Sequence, residues 1–98
     1  MLLNPLPAER LVDSEGRPYF LWDNDLTLGQ LQERLASDDL EVSAYWLGTM
    51  MRQARPDDAL ALCEPARMRL LWPRLERYLG NQRGFWTWYL HATDWPEL

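Results

Sequence analysis

The sequence has one cysteine, Cys63, one histidine, His91, and no lysine among its 98 residues. A single thiol excludes an internal disulfide and a four-cysteine zinc site, and a single imidazole excludes a histidine-based metal cluster. Cys63 is read as a small core residue. No apolar run is long enough to span a bilayer, and the opening MLLNPLPAER has neither a basic start nor a signal-length apolar block. A cytoplasmic location and no membrane partner are therefore expected. Glycine is sparse and forms no phosphate-cradling loop, which removes the simplest nucleotide-binding reading.

What the chain has instead is bulk. Apolar residues make up 47 % of it and six are tryptophan, so a single core is expected to rest on a few very large side chains. A chain of this length buries about 60 to 65 % of its unfolded surface, enough for one domain and not two. The net charge of -5 argues against a surface that embraces nucleic acid on all sides. Its distribution is uneven. Residues 1–49 carry three arginines against nine acids, and residues 50–98 carry seven against six, giving -6 and +1.

Residues 1–17 hold two prolines, a glycine and no apolar period, and read as an extended or partly mobile leader, with one helical domain over 18–98. YFLW at 19–22 has no second alternating segment to pair with, so it reads as an extended arm laid over helices rather than a strand. Helical signals begin at Thr27, which forms a capping box with Gln30 ahead of a Leu28, Leu31, Leu35 stripe. Asp38 with Glu41 repeats the box before an arc of Leu40, Ser43, Trp46, Leu47, Met50, Met51 and Ala54, with Tyr45, Gly48 and Arg52 facing away. Pro56 ends that helix and opens the next, placing Asp57 and Asp58 in a first turn favoured by the helix dipole.

A further apolar face runs from Met68 through Leu71, Trp72, Leu75, Tyr78 and Leu79, kinked or split at Pro73. A last helix from about Gln82 to Ala92 carries Phe85, Trp86, Tyr89 and Leu90 inward, and DWPEL closes the chain. The fold class expected is all-α: an irregular bundle or curved array of five to six short antiparallel helices with an extended N-terminal arm.

Chemistry is harder to find. His91 has no acid or nucleophile at helical spacing, and pairing it with Arg83 as in helical ribonuclease toxins fails because the two lie on different sides of a helix. Three acidic pairs, Asp23 with Asp25, Asp38 with Asp39 and Asp57 with Asp58, lack the glycine loop and strand that magnesium-dependent transferases use. Two of the pairs stand at helix starts, where capping explains them. Arg67, Arg69, Arg74, Arg77 and Arg83 against Glu76 make residues 65–83 locally +4. On an unbroken helix Arg67, Arg74 and Arg77 share a flank, which either meets phosphates or an acidic protein, or pairs with the acidic first half of the chain. Trp46, Trp72 and Trp86 lie on apolar stripes and are read as core. Trp88 points away from its helix's apolar face and either packs under the arm or tail or is exposed.

PYFLWDNDLT, AYWLGTMMRQARPDD, WPRLERYLG and FWTWYL together resemble small, uncharacterised helical proteins of bacteria and archaea that share an aromatic-Leu-Trp-Asp opening. The likeness covers about residues 18–92, and its most specific pieces are Phe20-Leu21-Trp22-Asp23 with Asp25, and Ala54-Arg55-Pro56-Asp57-Asp58. Such proteins are often encoded beside nucleotidyltransferase-type toxins of the abortive-infection class. The resemblance implies an antitoxin-like or accessory partner that acts by binding, and it brings no catalytic residues with it.

The functional expectation is a non-enzymatic protein-interaction module, with no metal and no cofactor; the alternative is a nucleic-acid-binding regulator using the Arg67 to Arg83 stretch. Candidate partner-binding residues are Tyr19, Phe20, Trp22, Asp23, Asp25, Tyr45, Arg74, Arg77 and Trp88. For the arm two answers stay open: its aromatic side chains pin it into a groove between helices, or they enter a pocket on a partner.

Overall fold

The computed structural model describes residues 5–21 and 25–91, so Trp22, Asp23 and the closing DWPEL lie outside the described residues. Among those described, the fold is all-α, with no strand beyond one isolated bridge between Val12 and Pro18. The helices are α1 (Ala8–Leu11), α2 (Leu28–Leu35), α3 (Leu40–Gln53), α4 (Pro56–Leu62), α5 (Pro65–Leu70), α6 (Trp72–Leu75) and α7 (Arg83–His91). Three 3-10 turns, Tyr19–Leu21, Glu76–Tyr78 and Gly80–Gln82, fill the connections.

Proline and capping chemistry set these boundaries. The Thr27 box is complete: its hydroxyl accepts from the Gln30 amide and its amide donates to Gln30 Oε1. At α3 the cap is Asp39 rather than Asp38, since Asp39 Oδ1 takes the Glu41 and Val42 amides. Pro56 and Pro65 open α4 and α5, where a missing amide costs nothing. Pro73 cannot donate to the Arg69 carbonyl, so α5 stops at Leu70 and the chain restarts as α6.

α3 is the central element, packed by α2 on one side and by α6 with its 3-10 extension on another. Leu47, Met50 and Met51 of α3 join Leu31, Met68, Leu71, Leu75, Leu79, Trp86 and Leu90 in the core, all essentially without solvent. Gly48, expected to face away, is instead buried. A Cβ there would sit 2.8 Å from Tyr78 Cβ and 3.1 Å from the Leu75 carbonyl, so only glycine lets the 72–78 segment lie this close on α3.

The arm is docked, but it is not extended. Tyr19–Leu21 form a 3-10 turn that buries Phe20 and Leu21 completely, each contributing about 1.5 to 3 kcal/mol of burial. The leader, expected to be extended or partly mobile, holds over its described residues the one-turn helix α1 and a tight loop in which Gly16 takes a φ of +80°. The Gly16 carbonyl accepts from the Leu28 amide at 2.8 Å, tying the loop to the start of α2.

Three helix C-termini end on carbonyls closed by side chains from far along the chain. Arg67 Nε donates to the Leu35 carbonyl at 3.2 Å, Trp86 Nε1 to Met51 at 2.8 Å and Arg69 Nε to Leu90 at 2.8 Å. At Met51 the amide that would continue the helix ladder, that of Arg55, donates instead to the Tyr19 hydroxyl at 2.8 Å.

Candidate interaction surface

The nine candidate residues separate into groups. Tyr19 and Phe20 pack onto the body of the protein: Phe20 is buried, and the half-buried Tyr19 ring meets it edge-on at 5.2 Å. Tyr19 Oη donates to Asp58 Oδ2 at 2.7 Å, and Asp58 Oδ1 accepts from the Leu6 amide at 2.8 Å. Asp58, expected to serve the helix dipole, thus has a fully buried side chain that binds leader and arm to α4. Arg55 stands 4.0 Å away as a weak electrostatic neighbour. Burial, opposed by the Arg55 amide and aided by the hydrogen bond to Asp58, pushes the Tyr19 phenol up to about 12. Asp25 is a surface acid that pairs with Arg17 at 3.1 Å, and Arg17 also holds Asp13 at 2.9 Å. Trp22 and Asp23 lie outside the described residues.

Tyr45, Arg74 and Arg77 are brought together. Glu41, Tyr45, Gly48 and Arg52 recur at helical spacing along one face of α3, and the 72–78 segment crosses that face. Arg74 Nε binds Glu41 Oε2 at 2.9 Å, and Arg77 reaches Glu41 Oε1 at 3.4 Å. Tyr78 packs edge-on against Tyr45 with ring centroids 5.1 Å apart, and Tyr45 packs edge-on against Trp46 at 5.1 Å. Guanidinium groups close both ends, Arg34 lying 5.2 Å from the Trp46 ring and Arg77 5.1 Å from the Tyr78 ring. The result is one continuous row, Arg34, Trp46, Tyr45, Tyr78, Arg77, running from α2 across α3 to the turn after α6. Tyr45 is 44 % exposed and the Arg77 side chain 65 %.

Arg34, Trp46, Tyr78 and Glu41 were not among the candidates. Trp46 and Tyr78 sit at the margins of apolar stripes and read as core, whereas both are half-buried. Arg34 lies on a different helix, and no sequence spacing links it to Trp46. Arg67 leaves the flank expected for it, because the break at Leu71 turns it inward to the Leu35 carbonyl and Ser43 Oγ. The basic stretch is therefore dispersed: Arg69 caps α7, Arg83 pairs with Glu76 at 3.1 Å, and only Arg74 and Arg77 remain together.

Trp88 occupies a separate place on α7, 65 % exposed, with its ring 6.0 Å from Phe85 and 6.2 Å from Tyr89. Trp86 is fully buried as expected, and Trp72 is half-buried with the His91 ring edge-on at 4.7 Å. Cys63 is half-buried rather than core. It lines an open cleft of about 530 Å³ with Gln32, Leu35, Ala36, Leu62, Glu64 and Arg67, and burial pushes its thiol up to about 11. Arg67, the cationic group in that cleft, is committed to protein acceptors. No group of three or more metal-ligating side chains occurs among the described residues, and no helix among them is long and apolar enough to cross a membrane.

Comparison of the chain with protein-family models, with curated proteins and with solved structures returned no match.

Proposed function

We propose that this chain is a non-enzymatic protein-interaction module, the antitoxin-like or accessory partner of a nucleotidyltransferase-type toxin, acting in the cytoplasm. The observation that carries the binding role is the row of three aromatic rings between two arginines, with Tyr45 exposed at its centre and Trp46 and Tyr78 half-buried beside it. Trp, Tyr and Arg are the residue types that dominate interface energetics, because they bring large area and directed polar groups at low entropic cost. The row is also held in place, because Gly48 sets the close approach of Tyr78 to α3. Such preorganisation lowers the ordering cost of binding. The class of partner rests on the resemblance of PYFLWDNDLT and AYWLGTMMRQARPDD to proteins encoded beside such toxins.

The alternative, a nucleic-acid-binding regulator, draws less support, because the arginines from Arg67 to Arg83 do not form one basic strip: Arg67 and Arg69 donate to helix-end carbonyls, Arg83 pairs with Glu76, and Arg74 and Arg77 share Glu41. The test is co-expression with the product of the adjacent gene. A complex that co-elutes in size-exclusion chromatography, and that Tyr45→Ala with Tyr78→Ala weakens at least tenfold, is expected. A neighbouring product that stays separate from this chain at micromolar concentration removes the reading.

A further inference from the structure

Positive charge is concentrated on one face of an otherwise acidic molecule. Away from the aromatic row, Arg17 faces Asp13, Glu15 and Asp25, Arg55 faces Asp57 and Asp58, Arg83 faces Glu76, and Arg67 and Arg69 donate to helix-end carbonyls. Arg74 and Arg77 share the single carboxylate of Glu41, while Arg34 and Arg52 have no carboxylate within ion-pair distance among the described residues. Arg52 lies one turn beyond Gly48 on the same face, its stem against Gly80. Arg74 and Arg77 thus share one carboxylate, with Arg34 at the Trp46 end of the row and Arg52 one turn beyond Gly48, on a chain of net charge -5.

From this, and resting on the interaction-module reading, we infer that the face around Tyr45 takes an acidic, apolar-studded segment of a protein partner, and that Glu41 occupies the position of the partner's carboxylate in the free protein. One carboxylate shared by two guanidinium groups leaves each with donors to spare, so an incoming Asp or Glu finds a fork already aimed. The edge-on rings give its apolar neighbours a floor. The chain's overall negative charge disfavours a nucleic-acid duplex, which needs a broad positive field, but tolerates a short acidic segment engaged at one patch.

Glu41→Gln separates this inference from a merely structural role for the pair. If Glu41 competes with the ligand, its neutralisation tightens binding; if the pair only braces α6 on α3, the same change weakens it or does nothing. The probe is a fluorescein-labelled peptide alternating Glu with Leu, read by anisotropy at low salt, against the same peptide with Lys for Glu and a short DNA duplex. Expected are saturable binding of the acidic peptide alone, a gain of roughly three- to tenfold with Glu41→Gln, and a loss of tenfold or more with Arg74→Glu and Arg77→Glu together. These groups are exposed, so thermal melts of the variants stay close to that of the unaltered protein.

No binding of the acidic peptide, unchanged or weaker binding with Glu41→Gln, or tighter arginine-dependent binding of the DNA would each overturn the inference. The two readings fail separately. A complex with the neighbouring gene product that survives Arg74→Glu with Arg77→Glu sinks the acidic-segment assignment and leaves the module intact. A peptide response with no such complex does the reverse.

Discussion

The Tyr19 hydroxyl stands between two elements, donating to Asp58 Oδ2 at 2.7 Å and accepting from the Arg55 amide at 2.8 Å, so one oxygen closes α3 and anchors α4. Tyr19→Phe leaves the Arg55 amide and half of a buried carboxylate unsatisfied, an expected loss of about 1 to 3 kcal/mol. Asp58→Leu strands the Leu6 amide and the Tyr19 hydroxyl together, and is expected to cost about 2 to 4 kcal/mol. Because both changes act through one hydrogen-bonded unit, the double variant should lose clearly less than the sum. Urea titrations measure all three, and strict additivity would show that the unit does not exist.

Gly48 gives the second prediction. Alanine is the better helix former by about 1 kcal/mol, so on propensity alone Gly48→Ala stabilises α3. The added methyl, however, meets Tyr78 Cβ at 2.8 Å and backbone at Leu75 at 3.1 Å, and neither is the loose end of a flexible side chain. Crowding should win, with a net loss of about 1 to 3 kcal/mol in chemical denaturation. A variant as stable as the parent would mean that the 72–78 segment yields at no cost.

Alkaline pH tests the half-buried Tyr19 phenol. The Tyr19 pKa is raised from 10.0 to about 12 chiefly by burial, so the fold favours the neutral hydroxyl over the phenolate. Its contribution to stability is fully present below pH 10 and is lost as pH rises towards 12. Cys63, raised from 9.0 to about 11 by burial, adds a slope that begins one unit lower. Melting temperature followed from neutral to alkaline pH should fall less steeply above pH 10 in Tyr19→Phe, and less steeply from pH 9 in Cys63→Ser. Parallel curves for all three proteins would contradict both assignments.

Trp86 supplies the fourth. Its indole is buried and donates to the Met51 carbonyl, the group left open when the Arg55 amide turned to Tyr19. Trp86→Phe removes the donor and part of the volume, with an expected cost of about 2 to 4 kcal/mol. Thermal denaturation measures it, and a loss below about 0.5 kcal/mol would show that the carbonyl finds another partner.

Much of this architecture was legible in the residues. The Thr27 box, the proline boundaries and the buried stripe of α3 follow from local chemistry, and local chemistry is what a single sequence displays. The misses are contacts between elements distant in sequence. Asp58 reads as a helix-start acid because nothing nearby announces Leu6 and Tyr19. Gly48 reads as a gap in a polar face because the approach of Tyr78 depends on how the chain restarts after Pro73. That same restart scattered the arginines, drawing Arg67 to α2 and leaving Arg74 and Arg77 with Glu41. Tyr45, Arg74 and Arg77 read as outward-facing groups on separate segments, and nothing in their spacing joins them; that they meet, and that Arg34 and Trp46 complete the row, needed the fold.

The long-range closure of helix ends has a consequence for how the molecule comes apart. The donors that satisfy Leu35, Met51 and Leu90 lie 32, 35 and 21 residues away, so α2, α3 and α7 each depend on a distant element for part of their C-terminal closure. Excised pieces should therefore be largely unstructured, and slow amide deuteration should vanish across α2, α3 and α7 in a single step as denaturant is added. In such a chain cooperativity is spread through the stops as much as through the apolar centre.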